Sequence, residues 1–456
     1  MAFEVVVVGG GFTGNAVAAA LARDGAKVTV LEATQSSTPY FRGELIHPKG
    51  VRALEELGFS SALYSKDHVP VRGFAVTASA DAELMVLPYG VDQGPGLGID
   101  HRTMVLAMRE EISRRSGVEV RLGQKVTDLV RSGGRVIGVK VGEQELRADL
   151  VVVADGRQSR LRTALGLEPD IRLLSHTIVF KVHGKLPSAD HGHVFLGAQG
   201  PILAYPYGDN LIRFCVDVPL GAAKGKEAIV ELLVSQYAPV VPSPLREAMI
   251  EALRTEPFEG CATHAISTSS CAAPGVVLVG DSGGCAHPLT ASGMTNALND
   301  VLTLADELRG KGPTNEALNG YQRRRYDFIR MRELFTDALY EVFCATDPGS
   351  RALQSGVFRY WSSSERARSA SMDILSGEEV RPSRFIAEYS MVAGASAVDV
   401  FRGLTRKPEL TRRGQVLRSL VKTGFGRIEQ TVNRTARTVV DRYRLKLSSV
   451  DEARPS

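Results

Sequence analysis

Residues 3–32 run FEVVVVGGGFTGNAVAAALARDGAKVTVLE. Phe3–Val8 is valine-rich, with an unbroken apolar run from Val5 to Val8, the pattern of a parallel strand buried on both faces. Glycines follow at once. Asn15–Arg23 is alanine-rich and helical in pattern, closing near Gly25, and Ala26–Leu31 forms a second strand. The chain therefore opens on a βαβ unit. Gly9-x-Gly11-x-x-Gly14 lies between strand and helix, where glycines let the backbone approach a pyrophosphate and the helix dipole favours its charge. Glu32 closes the second strand, in place to accept hydrogen bonds from ribose hydroxyls. These features specify a dinucleotide site without choosing the dinucleotide.

The chain has 456 residues, 44% hydrophobic and 23% charged. That composition belongs to a soluble multidomain protein and excludes a disordered, collagenous or coiled-coil chain. Net charge is +4, too small for a nucleic-acid footprint. Residues 401–456 alone carry 14 Lys/Arg against 5 Asp/Glu, so the basic character lies in the tail. Five scattered cysteines without a C-x-x-C predict reduced, mostly buried thiols and no metal site. No basic segment precedes the first strand, which predicts a cytoplasmic protein without a signal peptide.

Further along, the pattern predicts a helix at Arg102–Ser116, strands at Val118–Arg121, Val126–Arg131, Val136–Val141 and Leu150–Ala154, then a β-rich stretch from Ile171 to Pro219. Helices at Lys226–Tyr237 and Pro244–Arg254, a buried strand at Val276–Val279 and a helix at Gly293–Arg309 follow. Ser350–Met372, rich in Ser and Arg, predicts a loop. The expected architecture is α/β: a Rossmann-like dinucleotide-binding domain (residues 1–75, 100–170 and 270–318), an inserted β-sheet substrate domain (76–99 and 171–269) and a C-terminal helical region (319–456).

Two segments choose FAD. Leu150–Arg162 contains Asp155-Gly156-x-x-Ser159-x-x-Arg162. Val276–Leu304 contains Gly280-Asp281, His287-Pro288, Gly293 and Asp300. With the N-terminal glycines, these segments resemble flavoprotein monooxygenases with one dinucleotide-binding domain. Gly43–Gly50 (GELIHPKG), Pro201–Tyr205 through Arg213 to Val216-Asp217-Val218-Pro219, and His287–Thr290 with Gly293-Met294-Thr295 are most similar to squalene monooxygenases.

The resemblance implies that Arg42, Glu32 and Arg102 hold the adenosine and pyrophosphate side of FAD, together with Gly9, Gly11 and Gly14. It places Gly280 and Asp281 at the ribityl chain, Gly293 and Met294 at the flavin ring edge, and Asp155 in both FAD and NAD(P)H binding. NAD(P)H would bind transiently, since no second glycine motif is present. His47, Phe74, Tyr205 and Pro288 are the pocket candidates; no catalytic residue is certain. Thr295, His47 and Phe74 stand where the family pattern has asparagine in its aromatic hydroxylases, glutamine and tyrosine, and Arg42 is shifted by one. The implied reaction is epoxidation or hydroxylation of an apolar isoprenoid, prenylated aromatic or polyketide with O₂. Aromatic hydroxylation, prenyl reduction and flavin-fold binding without turnover are the alternatives. Trp361, the only tryptophan, excludes the Trp-x-Trp of flavin halogenases.

Three smaller features complete the reading. Asp190-His191-Gly192-His193 is expected to be a polar loop. Tyr205 and Tyr207 sit on a sheet that can face the flavin. The apolar residues from Leu417 to Tyr443 predict a basic amphipathic helix within the tail 411–456, broken or kinked at Gly424 and Gly426 and suited first to packing on the catalytic core and second to an anionic membrane surface.

Overall fold

Strand Glu4–Val8 lies at the centre of a parallel sheet, between Lys27–Glu32 and Leu150–Val153. Val118–Leu122 and Val276–Leu278 extend the sheet on either side, also parallel, and Ala272–Ala273 closes one edge antiparallel. The computed structural model describes residues 3–35, 43–167, 169–344 and 347–404, the side chains of 397–404 aside. Val5–Val8 are all buried, as a sheet covered on both faces requires. Helices Phe12–Arg23, His101–Ser113 and Gly293–Leu308 pack together on it, and a meander of Val126–Ser132, Arg135–Val141 and Gln144–Arg147 packs over Leu150–Val153. Gly14 has no freedom to be anything larger: a Cβ there would stand 1.8 Å from the Gly9 carbonyl oxygen.

The β-rich stretch forms a second, eight-stranded sheet. Its order is Gly284–Cys285, Phe258–Ser267, Asp170–His183, Leu211–Val218, Ile202–Gly208, Gly192–Phe195, Gly73–Thr77 and Met85–Pro88. Alternation divides its faces. Ile178, Phe180, Ile202, Ala204, Phe214 and Val216 point into a core shared with helices Lys226–Leu232 and Leu245–Thr255. The residues one step out of phase, Thr177, Val179, Leu203, Tyr205, Cys215 and Asp217, line a cavity on the other side.

Beyond the sheets run helices Asn315–Cys344, Pro348–Ser363, Glu365–Ser376 and Pro382–Leu404. The loop expected within 350–372 is instead two helices broken only at Ser364, whose side chain accepts the Ala367 N–H at 3.2 Å. Serine and arginine there supply a cap and a solvated face, not a breaker. The Cys expectation is corrected too: Cys271 is buried, Cys261 is exposed and the other three are half-buried. Among the described residues no helix is long and apolar enough to cross a membrane. The expected tail helix at 411–456 lies outside them.

One buried ion pair ties the segment after the first βαβ unit to the large sheet. Arg213 Nε and Nη2 each donate to a Glu44 carboxylate oxygen at 2.6 Å, and the guanidinium sits 4.7 Å from the Tyr207 ring centroid. The two side chains are 4% and 2% exposed. Glu44→Ala strands a buried cation, and the expected loss is about 3–5 kcal/mol, read from denaturant unfolding. Replacing both partners with methionine should restore most of it; a single-variant loss under about 1 kcal/mol contradicts the pair's structural role.

Candidate active site

The cavity, about 560 Å³ in volume, opens at the carboxyl ends of the parallel strands, the usual ligand crevice of such sheets. Four of the sheet's five parallel strands deliver residues to it. Gly9 and Gly11 follow Glu4–Val8, Glu32 ends the second strand, Asp155 follows Leu150–Val153, and Gly280 and Asp281 follow Val276–Leu278. Arg102 enters from helix His101–Ser113, and Gly293 and Met294 from the start of Gly293–Leu308. Gly14 is not on the wall; it sits beneath, where helix crosses strand. Arg42 lies outside the described residues.

Polar ties fix these loops. Glu32 accepts the Gly10 N–H at 2.8 Å and the Thr34 N–H at 2.9 Å, so its carboxylate first orders the glycine turn. From the other side Arg109 donates to the Gly10 carbonyl at 2.8 Å. Arg162 donates to the Ser282 carbonyl at 2.8 Å, joining the loop of Asp155 to that of Asp281. Burial raises the Asp155 carboxyl against the bonds that favour its charge. Asp300 accepts both the Gly280 N–H at 3.0 Å and Arg325 Nε at 2.8 Å. Ser159, far from any nucleophilic role, caps helix Arg160–Ala164 by accepting the Arg162 N–H.

The turn His287–Ser292 is the strained part of the wall. Ala291 has φ +49°, left-handed for a residue with a Cβ, at a cost of roughly 1–2 kcal/mol. It persists because neighbours hold it. His47 Nε2 lies 2.8 Å from the Thr290 carbonyl and must carry the proton there, so Nδ1, 2.7 Å from Tyr89 Oη, accepts the phenol hydrogen. Both ring nitrogens of His47 are thus used, and the residue is fully buried. Burial pushes its pKa down to about 4.

A second, apolar chamber of about 110 Å³ lies farther along the same sheet face, under the C-terminal helices. The cross-strand row Val179–Cys215–Leu203–Val194–Val76 runs from one space to the other. Its first three residues line the large cavity and its last two line the chamber. Leu289 lines both.

A squalene epoxidase family model matches residues 147–411, and an FAD-dependent oxidoreductase model matches residues 4–84. The chain belongs to the squalene epoxidase family. It is 32% identical to squalene epoxidase 3 of Arabidopsis thaliana, over 86% of this chain and 77% of that protein. Against squalene epoxidase erg1 of Aspergillus fumigatus it is also 32% identical, over 78% and 79% of the two chains. Klebsiella pneumoniae HpxO, solved with FAD and uric acid, superposes with a TM-score of 0.70 at 22% identity, over 82% of this chain and 97% of that one. For p-nitrophenol 4-monooxygenase PnpA from Pseudomonas putida the TM-score is 0.71 at 20% identity, over 82% and 98%. The protein is an FAD-dependent monooxygenase with the Rossmann-like α/β fold.

Against this squalene epoxidase family frame, the pocket candidates separate. Tyr205 and Pro288 are on the cavity wall, Phe74 lines the apolar chamber, and His47 stands behind the wall. The hydroxyl partner of His47 is Tyr89, 42 residues on. Tyr207 is turned to Arg213 rather than to the cavity. The expected loop at 190–193 is half strand: His193 is buried in Gly192–Phe195 and stacks on Phe195. Arg109, Arg325 and Tyr89 had no sequence signal as site residues.

His47 gives a pH prediction. Above pH 6.5 it is neutral whether folded or unfolded. As pH falls, the unfolded chain takes the proton first, so stability drops until about pH 4, the folded value, by up to roughly 3 kcal/mol. His193, lowered to about 4 for the same reason, adds a similar share. Glutamine keeps one donor and one acceptor at position 47 but does not titrate. His47→Gln should therefore fold at pH 7 and show a smaller decline in unfolding midpoint between pH 6.5 and 4 than the wild type; an unchanged decline contradicts the assignment.

Proposed function

We propose that this chain uses FAD, NAD(P)H and O₂ to insert one oxygen atom into an apolar substrate of the isoprenoid, prenylated aromatic or polyketide class. The observation that carries this reading is the apolar chamber beside the cofactor cavity on one sheet face, with Leu289 lining both. A chamber walled by Phe74, Val76, Leu87, Val194 and Phe343 offers almost nothing to a polar substrate, and burying hydrocarbon there is favourable at about 25 cal/mol per Å². The relatives named for squalene support the same substrate class.

The residues fit FAD. A Cβ on Gly11 would meet nothing within 4 Å, so the glycine opens onto the cavity. Helix Phe12–Arg23 starts there without a side-chain cap, leaving its first N–H groups to bind phosphate. We assign Gly9, Gly11 and Arg102 to the pyrophosphate and Glu32 to the adenosine ribose. Asp281 takes the ribityl chain, and Gly293 and Met294 the ring edge. Asp155, on the adjoining loop, serves FAD and the transient reductant. Bound FAD supplies the oxygen activation. The protein's own task is to hold the substrate against the ring and keep water out, which the apolar sheet face and the pinned 287–292 turn accomplish.

Asp281→Ala removes a charge-assisted hydrogen bond and should weaken FAD by roughly 1.5–3 kcal/mol in a flavin-fluorescence titration. Unchanged affinity rejects the assignment. With wild-type protein, NAD(P)H oxidation should rise on adding a long apolar alkene and yield a product one oxygen heavier. A hydrogenated product without oxygen points instead to a reductase.

A further inference from the structure

Asp217 and His287 sit side by side on the cavity wall with Ser175 beside them, a grouping that invites reading as a hydrolytic triad. The bonds rule that out. His287 Nδ1 accepts the Leu289 N–H at 3.1 Å, so the proton is on Nε2, which donates to Asp217 Oδ1 at 3.0 Å. A ring nitrogen already protonated towards the carboxylate has no capacity to take the Ser175 proton. The Ser175 hydroxyl itself donates to the same Asp217 oxygen. Tyr340, from helix Asn315–Cys344, donates to Asp217 Oδ2 at 3.1 Å and lies 4.5 Å from the His287 ring, centroid to centroid. Tyr237 donates to the Asp217 carbonyl at 2.9 Å. Donors from four separate segments thus converge on one residue.

What this anchor holds is the next turn. Pro288–Thr290 leads straight into strained Ala291, and Leu289 is the residue whose side chain lines both the cofactor cavity and the apolar chamber. Resting on the functional reading above, we propose that His287 is a positioning residue. With Asp217 fixing its tautomer, its Nδ1 accepts the Leu289 N–H; that bond keeps Leu289 in place as the partition between the two spaces and so sets how long a hydrocarbon the protein accepts. Released from His287, the strained turn relaxes and the partition opens.

Trp361, the chain's only tryptophan, lines the chamber, so its fluorescence reports chamber occupancy without turnover. The probes are a long branched saturated hydrocarbon and a short one, titrated into FAD-loaded protein. His287→Gln keeps an amide able to reach Asp217 but loses the acceptor for Leu289. His287→Asn keeps that acceptor, as asparagine does in an Asx turn. Relative to wild type, His287→Gln and Leu289→Ala should each shift the long-to-short affinity ratio towards the long probe by roughly tenfold. The double variant should shift it no further, and His287→Asn should stay within about twofold. FAD affinity should be the same in all four. Equal behaviour of the Asn and Gln variants, or additive effects in the double variant, overturns the proposal. A wild-type Trp361 signal indifferent to both hydrocarbons removes the chamber as a ligand site, and the proposal with it.

Discussion

The bidentate contact between Glu44 and Arg213 constrains everything around the cavity. Removing both charges from water costs several kcal/mol per ion, and only close geometry offsets it. The two oxygen–nitrogen distances of 2.6 Å and the tyrosine ring beneath the guanidinium show that geometry. The contact places Gly43 and Leu45, which line the cavity, at a set distance from the sheet face opposite. The remaining ties follow the same rule. Asp300 with Arg325 and Arg162 with the Ser282 carbonyl each use a buried arginine to fasten one loop of the wall to another segment. An arginine in such a place is held by directional donors and cannot be exchanged for lysine without loss.

How much of this was legible in the sequence depends on the range of the interaction. The βαβ unit was, because its signals are local: four buried valines, glycines at required positions and an alanine-rich helix within 32 residues. The cavity lining was legible wherever a residue sits directly after a strand, as Gly11, Asp155 and Asp281 do. Long-range partners were not. Arg325 lies in the run Arg323-Arg324-Arg325, where only the third is buried, and nothing local distinguishes it from its solvated neighbours. Tyr89, just past strand Met85–Pro88, reaches His47 through a contact between segments 42 residues apart that no local pattern announces. The stretch 350–372 misled for the opposite reason: its serines suit a loop, yet Asp347 and Ser364 use the same chemistry to start helices.

The division of labour between fold and site is uneven. The parallel sheet supplies a generic dinucleotide fold, shared with a neighbour solved with FAD and uric acid and with another named for p-nitrophenol. Such likeness fixes the fold and leaves chemistry to the site. The other wall is a cross-strand row of sheet residues, Val179 to Val76, that runs from the cavity to an apolar chamber closed by C-terminal helices. His47 and His287 are both spent on holding one turn.

The central claim is that the apolar space and the cofactor crevice serve one oxygen-insertion reaction. The most direct measurement is the mass of the product formed from a long apolar alkene under isotopically labelled O₂, with a parallel reaction in labelled water. The account predicts one labelled oxygen atom from O₂ and none from water. Label arriving from water alone, or a product that has gained hydrogen and no oxygen, would contradict it.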